Sequence, residues 1–391
     1  MSRNLKKALV LAITAVAAAM LLAGCTVGGS GSVVIGGEQL ETGTGVETLD
    51  LGEFDSVDAN LSVGDVVLKA GDDYSVVIDR KNYPEVTADV ADGKLSVSVP
   101  EGLWSTIDTS CIVTVTVPSS ASLEQVDIET NTGSLSVEGI GSSTLEASTN
   151  VGDIDVSACE VGSYELSTDT GDITMSGGTV NVTAQSHEAF ESKGAMTVSG
   201  GSLYAYSAGD DAINRGGSDT TTDMTLSGGF VCGWSAGNDG IDSNGNLYIQ
   251  GATVYAVCTK GSPEVAVDAN SEARKALYVK SGTLVSIGGL ESGSSLTGSA
   301  YSTSSWAKSS MHVLCDSSGS PVLAFKTPAS SSNGTMVLYC GGSALTLESG
   351  VTVDDGTLLW NGNGYEAPVF SGGSQVSLSS YSGSGGGGMF R

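Results

Sequence analysis

Basic side chains are the first shortage. Lys and Arg number 16 against 44 Asp and Glu, with two His, for a formal net charge of −28 over 391 residues. A surface of that sign repels phosphate backbones and anionic lipid, which excludes nucleic-acid binding. It also repels acidic polysaccharide unless a divalent cation bridges the two. The few histidines and seven cysteines, with no C-x-x-C and no Cys/His pair at ligand spacing, argue against a zinc centre. A plausible Ser/His/acid set is absent as well. Aromatics make up 6% of the chain, and helix-period apolar patterns stop after the first two dozen residues. What remains is rich in Gly, Ser, Thr and Val, the composition of an all-β chain with many turns.

The ends read as processing and tether segments. Arg3, Lys6 and Lys7 precede the apolar run Ala8 to Met20, which is short for a membrane span. Leu22-Ala23-Gly24-Cys25 follows and looks like a bacterial lipobox, with Cys25 as the acylated residue. Residues 1–25 are therefore expected to be a lipoprotein signal peptide, placing the protein on the outer side of the cell membrane. Loss of its three basic residues takes the charge from −28 to −31. Residues 26–45 are a Gly/Ser-rich tether, and 379–391 are expected to be a disordered tail. Export permits disulfides. Cys315 and Cys340 both follow apolar runs and are candidates to pair, whereas Cys232 and Cys258 fall on opposite strand parities and are not.

Between the ends the chain repeats. Residues 46–175 alternate apolar and polar side chains, and Gly133, Gly152 and Gly171 are spaced 19 apart. From Gly177 the period lengthens: Gly177, Gly200, Gly228 and Gly251 are separated by 23, 28 and 23 residues. The five extra residues fall in the polar stretch around Gly216 to Thr222, where insertion costs little. Aligned on these glycines, Ile173, Met196, Met224 and Leu247 form one apolar column. Val180, Leu203, Val231 and Val254 form a second, and Phe190, Ile213 and Ile241 a third. Alternate residues of a strand share a face. The columns predict the interior of a stacked solenoid: an all-β, right-handed parallel β-helix over 176–300, after an N-terminal β-repeat region and before a C-terminal β segment at 301–378.

The same register exposes two candidate sites. Tyr204, Tyr206, Phe230, Trp234 and Tyr255 are predicted to face outward on adjacent coils. They form either a platform for an extended polysaccharide or a patch covered by the C-terminal segment. At another corner Glu188, Asp211 and Asp239 form one column and Glu191, Asn214 and Asp242 another, with Asp210 and Asn238 beside them and Asp268 one coil further on. Stacked carboxylates repel one another. Calcium, which takes six to eight oxygens in irregular geometry, would relieve that repulsion; magnesium is more demanding, and the lack of His and Cys ligands disfavours transition metals. Turn chemistry alone would also use Asp and Asn here.

Two resemblances follow from these motifs. Thr132-Gly133-Ser134, Val151-Gly152-Asp153 and Thr170-Gly171-Asp172, in the stretch Val46 to Met175, resemble the bacterial putative-adhesin domains built from Gly-Asp β-repeats. The run Gly177 to Leu290, with Gly237-Asn238-Asp239-Gly240-Ile241-Asp242-Ser243-Asn244-Gly245, resembles the carbohydrate-binding-domain family of secreted β-helix proteins. Those are similar in fold to pectate lyases, bind calcium, and bind cellulose or polygalacturonate without cleaving them. The resemblance implies calcium ligation by Asp210, Asp211, Asp239 and Asp242, and it departs from the family at Val265, where an acid is usual. A non-catalytic, calcium-stabilised polysaccharide-binding lipoprotein is therefore expected, as a monomer anchored through Cys25. A surface adhesin or stalk without a sugar ligand stands as the alternative. A lyase is the remaining reading, with Arg215, next to the acid corner, as its candidate base.

Overall fold

The computed structural model describes residues 40–100 and 108–382. The signal segment, Cys25, most of the tether and the last nine residues lie outside these; the expected tether is instead strand from Thr42, and the expected disordered tail begins with the strand Ser379–Tyr381, paired to Ala300–Thr303. Among the described residues strands dominate. The helices among the described residues are two three-residue 3-10 turns, and none of them is long and apolar enough to cross a membrane.

The predicted columns are hydrogen-bonded neighbours. Leu135, Ile154, Ile173, Met196, Met224, Leu247 and Leu277 pair one after another in parallel register. Val180, Leu203, Val231, Val254 and Leu284 form a second parallel ladder. Phe190, Ile213 and Ile241 form a third, extended by single bridges to Val267 and Leu290. Every one of these side chains is buried. Each coil cannot bury its own apolar stripe, so successive coils bury it together.

The architecture as a whole is mixed, and the expectation of a parallel β-helix is narrowed accordingly. Towards the N-terminus, Ser56–Val63 and Asp65–Gly71 pair in parallel with their neighbours. Ser75–Pro84 lies antiparallel on Ser110–Pro118, Thr42–Asp50 antiparallel on Ser75–Pro84, and Thr87–Ala91 antiparallel on Lys94–Ser98. At the far end, Met336–Cys340 runs antiparallel to Leu277–Ile287 and to Ala300–Thr303. A parallel stack ends in open strand edges, and these antiparallel strands cover them. Met311–Cys315, Pro321–Lys326, Thr346–Leu359 and Gly364–Gln375 close a small antiparallel barrel.

The Gly-Asp repeat has a direct physical basis. Gly133, Gly152 and Gly171 have φ of +153°, +148° and +157°. A Cβ on each would overlap the carbonyl oxygen of Gly64, Gly133 and Gly152 respectively. The next side chain then ties coil to coil. Asp65 Oδ1 accepts Ser134 N–H at 2.8 Å, Asp153 Oδ1 accepts Asp172 N–H at 2.9 Å, and Asp172 Oδ1 accepts Ala195 N–H at 2.7 Å. Asp223 Oδ1 continues the pattern to Asn246 N–H at 2.8 Å.

The six described cysteines are all free thiols, so the candidate Cys315–Cys340 pair is not bonded. Cys315 packs with Val313, Ala324 and Val351 inside the barrel. Cys340 lies on the capping strand against the other apolar cluster, 3.9 Å from Thr283 Oγ.

Candidate metal centre

The acid corner is built on buried serines. Ser207 Oγ donates to His187 O at 2.7 Å and accepts Asp210 N–H at 3.0 Å. One coil later Ser235 Oγ donates to Asp210 O at 2.6 Å and accepts Asn238 N–H at 2.9 Å. The turn that leaves the second ladder is thereby held in the same shape twice, which returns an acid to the same place. Asp211 Oδ1 accepts Asp239 N–H at 2.8 Å, and Asp239 Oδ1 accepts Val265 N–H at 2.5 Å. At Val265 the column loses its carboxylate and keeps only the backbone link.

Two trios of carboxylates result. Glu188, Asp210 and Asp211 bring ligand oxygens within 4.8 Å of one another, as do Asp239, Asp242 and Asp268. Asn214 joins the first trio through Nδ2, which donates to Glu188 Oε1 at 3.3 Å. Its own Oδ1 is buried without a hydrogen-bond partner among the described residues. Asn238 Nδ2 donates to Asp210 Oδ1 at 3.3 Å. Glu191, also expected here, is engaged elsewhere: its carboxylate pairs with Lys193 Nζ at 3.2 Å, and it belongs to neither trio.

Glu291 is the residue that sequence reasoning missed. Its carboxyl is a neighbour of Asp268 and helps to raise the Asp268 pKa. A signal for it existed, because an apolar core residue followed by an oxygen side chain recurs as Ile213-Asn214, Ile241-Asp242, Val267-Asp268 and Leu290-Glu291.

The electrostatics follow from burial. Asp211 and Asp239 are 4% and 6% exposed. Desolvation, then the neighbouring Asp242 charge, pushes the Asp211 carboxyl up to about 8. Desolvation raises Asp239 to about 7, partly opposed by the Val265 N–H. Asp242 rises to about 6, and Asp268 is raised by burial together with Asp242 and Asp239. Among the described residues none of these four carboxylates forms a salt bridge.

This donor set suits a hard cation. All the groups are oxygens, several are carboxylates, and the orphaned Asn214 Oδ1 is an amide acceptor of the kind calcium takes. Arg215, the candidate lyase base, points the other way. It sits in the core between Ser192 and Ser243 on the third ladder with no exposure. Its Nε donates to Gly194 O at 2.8 Å, and Nη2 donates to Lys193 O and to Thr222 Oγ. A guanidinium held this way cannot reach a substrate, so that role is withdrawn.

The aromatic face is largely covered. Tyr255 is fully buried; its ring lies 5.2 Å from Phe325 and 5.9 Å from Trp360, and its hydroxyl donates to Lys326 O at 2.7 Å. Tyr204, Phe230 and Trp234 pack part-buried on the same cluster. Of the two readings of these aromatics, cover by the C-terminal segment holds for Tyr255 fully and for Tyr204, Phe230 and Trp234 in part, and an open platform of all five does not. The same face also presents Cys232, Val257, Val285 and Ile287, and so large an apolar surface is more stable under the barrel than in water. An open lip remains, where Tyr204, Tyr206 and Trp234 line a groove of about 310 Å³ with Thr259, Pro328 and Asn363.

Comparison with known proteins bears on the N-terminal half of the site. Residues 53–214 match the family model described as "Putative auto-transporter adhesin, head GIN domain". That span takes in the Gly-Asp coils and the first trio with Asn214. No curated protein matches the chain. Solved structures that resemble it include a putative adhesin from Bacteroides fragilis NCTC 9343, at 12% identity over 60% of this chain and 96% of that one, with a TM-score of 0.29. A putative adhesin from Parabacteroides distasonis ATCC 8503 is 10% identical over 67% and 98%, with a TM-score of 0.33. A putative cell adhesion protein from Clostridium sporogenes ATCC 15579 is 14% identical over 52% and 99%, with a TM-score of 0.27.

Proposed function

We propose that the protein is a non-catalytic surface adhesin, displayed through a lipid at Cys25, whose stacked coils form a right-handed parallel β-helix stiffened by calcium. The adhesin family match over residues 53–214 supports the adhesive role. The observation that carries calcium is the buried Asn214 Oδ1 without a donor, set beside the trio Glu188, Asp210 and Asp211. An ion there would take oxygens from neighbouring coils, and a second would do the same at Asp239, Asp242 and Asp268. Residues 46–175 would serve as the spacer and 176–300 as the cation-bearing segment. Melting curves test this reading: calcium should raise the melting temperature relative to EDTA, and magnesium should raise it less. Equal melting in calcium and EDTA would reject it.

Polysaccharide binding is a second reading, favoured by one observation, the groove at Tyr204, Tyr206 and Trp234. It no longer includes Tyr255 or the covered side of Phe230. Calcium at the nearby turn would be needed for an acidic polymer such as polygalacturonate to approach so acidic a chain.

A further inference from the structure

The strand Thr42–Asp50 is open along one edge. It pairs with Ser75–Pro84 on one side, and among the described residues no strand or backbone hydrogen bond meets it on the other. Of its nine residues only Gly43 and Leu49 are less than exposed, and Val46, at the midpoint, is 67% exposed. The usual protections of an edge are a short strand, proline, lysine, an inward charge or a bulge; this strand lacks proline and lysine, and its one irregularity lies between Gly43 and Gly45, leaving Gly45–Asp50 in regular register. The other strand covering this end, Thr87–Ala91, is five residues long. Beside the open strand lies a cation whose position is unusual. In register, Gly45 faces Arg80. The Arg80 guanidinium lies beside Gly43, 3.7 Å from where its Cβ would be, while a Gly45 Cβ would have nothing within 4 Å; Nη1 donates to Tyr83 O at 3.5 Å. Among the described residues Arg80 has no salt bridge.

We propose that this edge is a homotypic docking site, at which a second copy of the chain adds its own Thr42–Asp50 antiparallel and centred on Val46. That register pairs the whole strand, Thr42 opposite Asp50 through Asp50 opposite Thr42. It sets Val46 against Val46 of the second copy, a favourable β-branched pair, and Thr48 against Thr44. No acid faces an acid. Glu47 of the second copy falls opposite Gly45, the register partner of Arg80, and with no side chain at Gly45 or Gly43 its carboxylate can reach along the strand to the guanidinium beside Gly43. The two-fold symmetry makes this contact twice. A single added strand buries less than a stable dimer does, and the chains repel through their net charge. Pairing therefore strengthens as salt screens that repulsion and as the copies are brought close together.

Cysteine crosslinking reads the register. Directly opposed side chains stand about 5 Å apart at Cβ, whereas Thr48 and its own copy are offset by four residues, roughly 13 Å. Under mild oxidation of the full chain, Val46→Cys should form a disulfide-linked dimer roughly tenfold faster than Thr48→Cys or the wild type, whose native thiols serve as the control. Glu47→Arg should slow the Val46→Cys reaction, and the combination Glu47→Arg with Arg80→Glu should restore it. Equal crosslinking at 46 and 48 would overturn the proposal, as would failure of the charge exchange to restore the rate.

Discussion

The Asp211 carboxylate accepts the backbone N–H of Asp239 at 2.8 Å, so one acid of the corner is also a strut between coils. Replacing Asp211 and Asp239 together by Asn separates the two roles. Asn keeps an acceptor oxygen for the amide and removes the charge. In EDTA near pH 7.5 the double variant should melt above the wild type, because the carboxylate repulsion is gone. In calcium the order should reverse, and the calcium-induced rise should disappear from the variant. Thermal melts by circular dichroism decide it; a variant that keeps the full calcium response would remove these acids from the site.

The same carboxyls set a pH dependence. Asp211 and Asp239 titrate near 8 and 7 when folded, against an ordinary value of 3.8 when exposed. The folded state thus binds more protons than the unfolded one between those limits, and metal-free stability falls as pH rises from about 4 to 8. One pKa unit corresponds to about 1.4 kcal/mol, so even part of this displacement moves the melting temperature by several degrees. In EDTA the melting temperature should drop between pH 5 and 8. Saturating calcium, which binds the ionised form, should flatten or reverse the drop. A pH-independent melt in EDTA would mean that the acids ionise freely in the folded protein.

Glycine spacing gives a third test. Gly152→Ala must place a Cβ against the carbonyl of Gly133 while holding φ at +148°. The left-handed conformation alone costs about 1–2 kcal/mol, and the overlap adds to it. Gly319 has φ of +81° and nothing within 4 Å of a Cβ, so Gly319→Ala should show the conformational cost alone. Urea unfolding should therefore rank Gly152→Ala well below Gly319→Ala, and equal losses would show that the coils can move apart at no cost.

What could be read from the sequence follows the periodicity. The columns Ile173, Met196, Met224 and Leu247 were legible because a parallel stack brings equal offsets from a turn glycine into contact. The Ser207 and Ser235 supports and the coil-to-coil role of Asp153 and Asp172 were not, although these residues recur at fixed offsets from Gly200, Gly228, Gly152 and Gly171, because the repeat does not say which backbone amide each side chain meets. Glu191 keeps its place in the column opposite Asn214, but its carboxylate pairs with the nearby Lys193 and joins neither trio. The fate of Tyr255 depended on the barrel. Its strands pair antiparallel among themselves and share no offset with the coils, so an outward aromatic column reads the same whether water or Phe325 lies above it.

That last distinction separates packing from binding within the aromatic set. Tyr255→Ala removes a fully buried ring and leaves Lys326 O without its donor, and it should cost about 3–5 kcal/mol in urea unfolding. Tyr206→Ala lies on the open lip of the groove and should leave stability within about 1 kcal/mol of wild type. If the lip takes a polysaccharide, Tyr206→Ala should lose the melting shift given by polygalacturonate or cellulose oligomers in calcium, while its calcium response stays intact. If neither sugar shifts the wild type, the groove has no role with those polymers. The calcium-stiffened adhesin then stands without a sugar ligand, because the acid corner and the lip use different residues and fail independently.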